Sequence, residues 1–169
     1  MFLSLVHTPV GGVHTLAAAL ALVFGTYVLL AHKGTRHHIR AGYAYCATMI
    51  VMLFTAFFIF QLFGSFGLFH WLAVVSALTL IGGMVPILVQ GKTRFAMNFH
   101  IGFMYWSVIG LYCAFAAETL VRLQLVPFFW MVGVASGLVG AIGSLCYRRY
   151  LKSWEQRFVP SEDAPAETV

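Results

Sequence analysis

Five long apolar runs dominate the chain, each separated from the next by a short stretch of polar residues or glycine. They are Gly11 to Ala31, Gly42 to Phe63, Leu68 to Gln90, Phe99 to Thr119 and Pro127 to Tyr147. Each is about 20 residues, enough for a helix to cross roughly 30 Å of hydrocarbon. The pattern predicts an all-α polytopic membrane helix bundle with five transmembrane helices. Between them lie a basic loop around Lys33 to Arg40, an uncharged turn at Gly64 to Gly67, a second basic loop at Gly91 to Asn98, and a short linker before Pro127. Pro86, with Gly82 and Gly83, predicts a kink in the third helix. Pro127 suits a first helical turn, where its missing N–H costs nothing. Met1 to Pro9 is a short apolar lead without the basic region of a signal peptide, so the first run is expected to be retained.

From Ser153 the character changes. Glu155, Glu162, Asp163 and Glu167 mix with Pro160 and Pro165, which predicts a mobile tail. The expected organisation is one membrane domain over residues 1–150 and a cytoplasmic tail over 151–169.

Composition sharpens this reading. The chain is 61% hydrophobic and 9% charged, whereas a soluble domain carries about a quarter charged residues. The formal charge of +5 does not point to nucleic acid, because the basic residues sit in short loops between apolar runs. With five spans, one face receives Lys33, Arg36, Arg40, Lys92, Arg94, Arg148, Arg149, Lys152 and Arg157, and the other only Arg122. The positive-inside rule then puts the N-terminus outside and the C-terminus in the cytoplasm. Cys46, Cys113 and Cys146 lie far apart inside apolar runs with no CxxC or CxxCH. They read as small apolar side chains, not as a redox pair, a zinc knuckle or a covalent haem site. On the fifth helix Gly133, Gly137, Gly140 and Ser144 form a small-residue stripe, read as packing inside the monomer.

The histidines carry the chemistry. An ionisable residue in a span is a functional candidate by default. A single histidine bonded to a neighbouring helix's carbonyl is an equally good reading, so the argument rests on four. Helix one enters from outside with His14 near its outer end. Helix two returns with His38 at its inner end. Helix three starts outside with His70, and helix four starts inside with His100. The outer pair is His14 with His70; the inner pair is His38 with His100. In a four-helix core each pair faces across the bundle axis, as needed to clamp one planar macrocycle. Helical rise separates the two levels by about 20–25 Å after allowing for tilt, so two sites follow, not one zinc centre. Small residues at helical spacing, Ala17, Ala21 and Gly25 after His14, Ala73 and Ala77 after His70, and Gly42 after His38, leave room for a flat ring or let helices touch. Arg36, Arg40, Lys92 and Arg94, with Lys33, crowd the inner mouth, where they set topology and are placed to pair with haem propionates. His7, His32 and His37 read as interfacial, with His37 the competitor of His38. Glu118 is spaced to pair with Arg122. Tyr43, Tyr45, Trp71 and Trp106 read as interfacial anchors or cofactor-edge residues.

The segment HHIRAGYAY resembles the H-R-x-x-G-x-x-Y segment of a bacterial predicted-membrane-protein family of unknown function. RFAMNFHIGFM resembles that family's later H-x-x-x-M segment, at His100 and Met104. The helix-by-helix histidine pattern is similar to the cytochrome b561 superfamily. That resemblance implies two b-type haems held in a four-helix core, with His14, His38, His70 and His100 as axial metal ligands, in a bacterial inner membrane. It implies transmembrane electron transfer and leaves the donor open; a quinone, a cytoplasmic reductant or a redox partner protein would each serve, with the acceptor on the other side.

Two other readings stand beside this one. A transition-metal carrier would want polar residues along its path, and the spans offer only Thr48, Thr55, Ser76 and Thr79 among few others. A cofactor-free scaffold or assembly subunit would use the histidines only to bond helices together. Protein-based acid–base or nucleophilic chemistry is not expected: the spans hold almost no carboxylates, and HExxH, GxSxG and GxxxxGK[ST] do not occur.

Overall fold

The computed structural model describes residues 8–60, 64–121, 123 and 127–159. Over these the protein is an all-α helical bundle of five helices: α1 (Pro9–Leu30), α2 (Arg36–Ala56), α3 (Leu68–Gln90), α4 (Arg94–Val121) and α5 (Phe128–Phe158). Each is long and apolar enough to cross a membrane. Leu16, Val23, Leu78, Trp130, Leu138 and Ile142 are all exposed, which in water would be an aggregation-prone surface and in a bilayer is the lipid face. The protein is a multi-pass membrane protein, as the hydropathy pattern predicts.

Three helices have ends well away from those of the apolar runs. α2 begins at Arg36 and not near Gly42; α4 begins at Arg94 and not at Phe99; α5 runs to Phe158, past Tyr147. An apolar run measures the hydrocarbon. The helix continues beyond it, because ending the backbone ladder leaves N–H and C=O groups to be satisfied some other way. Arg36, Arg40 and Arg94 are therefore helical residues, not loop residues, and His38 lies at the inner end of α2 as expected. The predicted mobile tail is helical as far as Phe158; its remainder from 160, like His7 and Arg122, lies outside the described residues. α2 stops early, at Ala56. Pro127 is the residue before α5, not one inside its first turn. α3 matches its predicted span and continues through Pro86.

Threonine starts three of the helices. Thr8 Oγ1 accepts the Gly11 N–H at 3.1 Å, Thr35 Oγ1 the His38 N–H at 3.2 Å, and Thr93 Oγ1 the Ala96 N–H at 3.2 Å. Each satisfies an N–H that the first turn leaves without an intrahelical partner. The turns before Thr35 and Thr93 pass through Gly34 (φ 78°) and Gly91 (φ 64°), a left-handed conformation that glycine adopts without strain.

The chain divides into two compact units, Met1–Ala77 and Leu78–Val169, with the division inside α3, where the sequence predicts one domain over 1–150. In the first unit α1 packs on α2. The buried set is mostly small on α1 (Gly11, Ala17, Ala21, Gly25, Val28) and large on α2 (Tyr45, Cys46, Met49, Met52, Leu53), so short side chains on one helix admit long ones from the other. In the second unit α4 packs on α5. Tyr105 donates its hydroxyl to Gly143 O at 2.7 Å, and a Cβ at Gly143 would meet Ile109 Cγ2 at 2.8 Å. The stripe predicted to pack inside the monomer is not this face. A Cβ on Gly133, Gly137 or Gly140 would meet nothing within 4 Å. Small-residue spacing identifies a helix surface that permits close approach; the protein packs α5 through Met131, Val132, Ala135 and Gly143 instead.

Candidate functional site

Two of the four candidate histidines reach across to a neighbouring helix. His14, on α1, places Nδ1 3.0 Å from Met52 O and 3.1 Å from Thr55 Oγ1 on α2. A carbonyl only accepts, so Nδ1 carries the proton. Thr55 is consistent with this, because its hydroxyl lies 2.8 Å from Val51 O and 2.9 Å from Met52 O, directs its one hydrogen there, and meets His14 as an acceptor. In the second unit His100, on α4, places Nδ1 2.9 Å from Gly83 O on α3. Here too Nδ1–H donates, and Nε2 keeps its lone pair. This is how a metal-ligating imidazole is held: one nitrogen donates to a backbone carbonyl and fixes the tautomer, and the other is free to coordinate.

Glycine makes the His100 contact feasible. A Cβ at Gly83 would meet Met104 Sδ at 2.7 Å and the backbone nitrogen of Met104 at 3.1 Å; one at Gly82 would meet the Phe103 ring at 3.1 Å. α3 and α4 therefore approach closely where His100 bonds. Pro86, which has no N–H, leaves Gly82 O without its helical donor, so the acceptor Gly83 O sits beside an interrupted ladder.

His70 is arranged differently. It occupies the third position of α3, and its Nδ1 accepts the Gly67 N–H at 3.1 Å, the reach-back half of a capping box. An Nδ1 that accepts has no proton, so neutral His70 carries it on Nε2. That atom is buried and has no hydrogen-bond partner among the described residues. The ring lies 4.9 Å from Phe60 and 4.8 Å from Phe66, near-parallel to both, with Phe57 at 6.4 Å. In this arrangement His70 offers a donor, not a lone pair, and so does not fit an axial ligand. The cause is local: α3 starts so close to His70 that its ring is used as the helix cap. His14 bonds the last turn of α2, and His70 stacks on Phe60 just after it.

His38 lies in the first turn of α2, part-buried, and a Cβ at Gly42 one turn on would meet nothing within 4 Å. His38 belongs to the first unit and His100 to the second. His37, the competitor, is exposed, as are His32, Arg36, Arg40, Lys92 and Arg94. Arg36 and Arg40 open α2 and Arg94 opens α4, and neither helix has an acid in its first turn. Cations there oppose the helix dipole, so helix stability does not explain them. Lys33 does the reverse. Its Nζ donates to Val28 O and Leu29 O, both at 2.7 Å, capping the C-terminus of α1, and burial pushes its pKa down to about 8.

The expectations for room and packing are met in part. Ala17 and Ala21 after His14 and Ala73 after His70 are buried, with Ala21 at 0% exposure, so they face protein, as expected of small residues that let helices touch. Cys46 is buried as predicted for an apolar thiol, but Cys146 is exposed on α5, since a small apolar side chain is equally at home against lipid. Tyr45 is buried, while Tyr43 and Trp71 are exposed. Sequence reasoning passed over the acceptors Met52 O and Gly83 O, because a backbone carbonyl has no residue signature. The Phe57, Phe60 and Phe66 cluster did have one, the aromatic run FTAFFIF followed by SFG. Among the described residues no three His, Cys, Asp or Glu side chains gather as for a metal ion. Comparison with known proteins finds no matching family model, curated protein or solved structure.

Proposed function

We propose that this protein is a haem-binding electron-transfer protein of the membrane, anchored on His14 in the first unit and His100 in the second. The observation that carries the reading is the shared tautomer. Both imidazoles give Nδ1–H to a backbone carbonyl of an adjacent helix, which leaves Nε2 as a lone pair of fixed direction. Haem asks for no more than one or two such axial nitrogens, whereas a cluster of three or more ligands is what a zinc-type centre requires. When bound, haem supplies a one-electron couple; the chain orients the ligand, raises its basicity through the carbonyl hydrogen bond and excludes water. The open space at Gly42 supports His38 as a further ligand. His70 would serve as one only by giving up its bond from Gly67 N, about 1 kcal/mol.

The reading extends to a bacterial inner membrane with the N-terminus outside and the C-terminus cytoplasmic, supported by the nine-to-one division of basic residues. On that cytoplasmic face Arg36, Arg40, Lys92 and Arg94 are exposed and suit propionates or anionic headgroups. Resemblance to the cytochrome b561 superfamily belongs to the same proposal and rests on the histidine pattern.

The scaffold reading is favoured by the same two hydrogen bonds, since histidines that bind helices together need nothing more. An absorption spectrum separates the two. Protein solubilised in mild detergent after expression with adequate haem should show a Soret band and sharp α and β bands on dithionite reduction. Colourless protein with no stoichiometric metal establishes the scaffold.

A further inference from the structure

The Nε2–H of His70 is a polar group the proposed function does not use. His70 is 5% exposed; Nδ1 is occupied by the Gly67 N–H, and Nε2 has no acceptor among the described residues. Burying a donor in apolar surroundings without a partner is costly, and a site that keeps one has a use for it. Its surroundings restrict the partner. Phe60 and Phe66 lie at stacking distance from the imidazole, Phe57 is tilted to it at 6.4 Å, and Trp71 meets Phe66 edge-on at 5.3 Å. No charged side chain is among these contacts, which disfavours an anionic ligand. Phe60 and Phe66 are 44% and 48% exposed, so the two rings nearest the imidazole are also on the surface of the protein.

We infer that His70 and its phenylalanines form a binding site for a lipid-soluble quinone, with His70 Nε2–H donating to a quinone carbonyl oxygen and the aromatic rings flanking the quinone ring. The required chemistry is a carbonyl acceptor in a flat apolar molecule delivered from the bilayer. A phospholipid ester carbonyl shares the acceptor but not the flat ring, and stacking favours the quinone. Binding is independent of haem; only the quinone's part in electron transfer rests on the function proposed above.

The test uses full-length protein in nanodiscs of ether-linked phosphatidylcholine, which lacks ester carbonyls, titrated with a short-tail ubiquinone and read by tryptophan fluorescence quenching. Saturable quenching is expected in the wild type. His70→Phe, which keeps an aromatic ring but removes both nitrogens, should weaken Kd by roughly tenfold or more, as for loss of a buried hydrogen bond. His70→Gln can still accept from Gly67 and still donate, and should stay nearer the wild type. An alkylbenzene of equal tail length should give no saturable signal. Linear quenching, identical in all three proteins, overturns the proposal. So does saturable binding that appears only as competition with ester-linked lipid. A His70→Phe protein that loses a low-spin haem signal while binding quinone normally also overturns it, and makes His70 an axial ligand. If His70→Phe does not fold, nitrogen NMR of labelled wild-type histidine decides: quinone should shift the protonated Nε2 of one imidazole, and no shift refutes the site. Because the titration proceeds with or without a Soret band, its failure and that of the haem reading are separable.

Discussion

Gly83→Ala probes the geometry that holds His100. The added Cβ would lie 2.7 Å from Met104 Sδ, 2.8 Å from Met104 Cγ and 3.1 Å from Met104 N. The sulfur can swing away; the backbone nitrogen cannot. Restoring ordinary contact at that nitrogen moves α3 and α4 apart by a few tenths of an ångström, and the His100 Nδ1 to Gly83 O distance of 2.9 Å lengthens with it. Overpacking of this kind costs about 1–3 kcal/mol, and a weakened interhelical hydrogen bond in a membrane protein about 0.6 kcal/mol more. Alanine returns about 0.5–1 kcal/mol through helix propensity. The net expectation is a loss of about 1–3 kcal/mol. Gly137→Ala is the matched control: its Cβ meets nothing within 4 Å, so propensity alone should leave it neutral or slightly stabilised. Both are read by thermal unfolding in detergent, with nitrogen NMR of His100 reporting the hydrogen bond. A Gly83→Ala protein as stable as Gly137→Ala, with an unchanged His100 signal, would refute the close approach and the role given to Gly83.

Other changes test separate parts of the molecule. His14→Ala and His100→Ala should each remove the haem signal of their own unit and spare much of the other, seen in reduced spectra and haem content; variants that both retain all haem would remove these residues as ligands. Tyr105→Phe should lose about 1 kcal/mol with the hydrogen bond to Gly143 O, measured by thermal unfolding. For Lys33, burial lowers the folded pKa from 10.5 to about 8, so the folded state binds fewer protons than the unfolded between those values. The penalty for holding the charge is present in full below about pH 8 and is relieved as pH rises toward 10.5. Stability should therefore climb through that window and flatten in Lys33→Met, with a wild-type decline there refuting the assignment.

What could be read from the sequence depended on which physical signal each feature leaves. Apolar run length reports hydrocarbon thickness, so α3, with uncharged ends, matched its predicted bounds, whereas α2, α4 and α5 extended into charged sequence where hydropathy falls but the backbone ladder continues. The same extension changes the chemistry. Arg36 and Arg40 move from a loop into a helix, and His70 sits so near the start of α3 that capping claims one of its nitrogens. Pairing histidines by span and depth treats an imidazole as one ligand atom at one height. The protein instead distinguishes three of these imidazoles by what Nδ1 does. It donates to Met52 O in His14 and to Gly83 O in His100, and it accepts from Gly67 N in His70. Those partners are backbone atoms, invisible to residue patterns, yet they decide whether Nε2 is a lone pair or a proton. An Nε2 lone pair suits a metal and an Nε2–H suits a carbonyl oxygen, so histidines alike in sequence are suited to different ligands once their helices are in place.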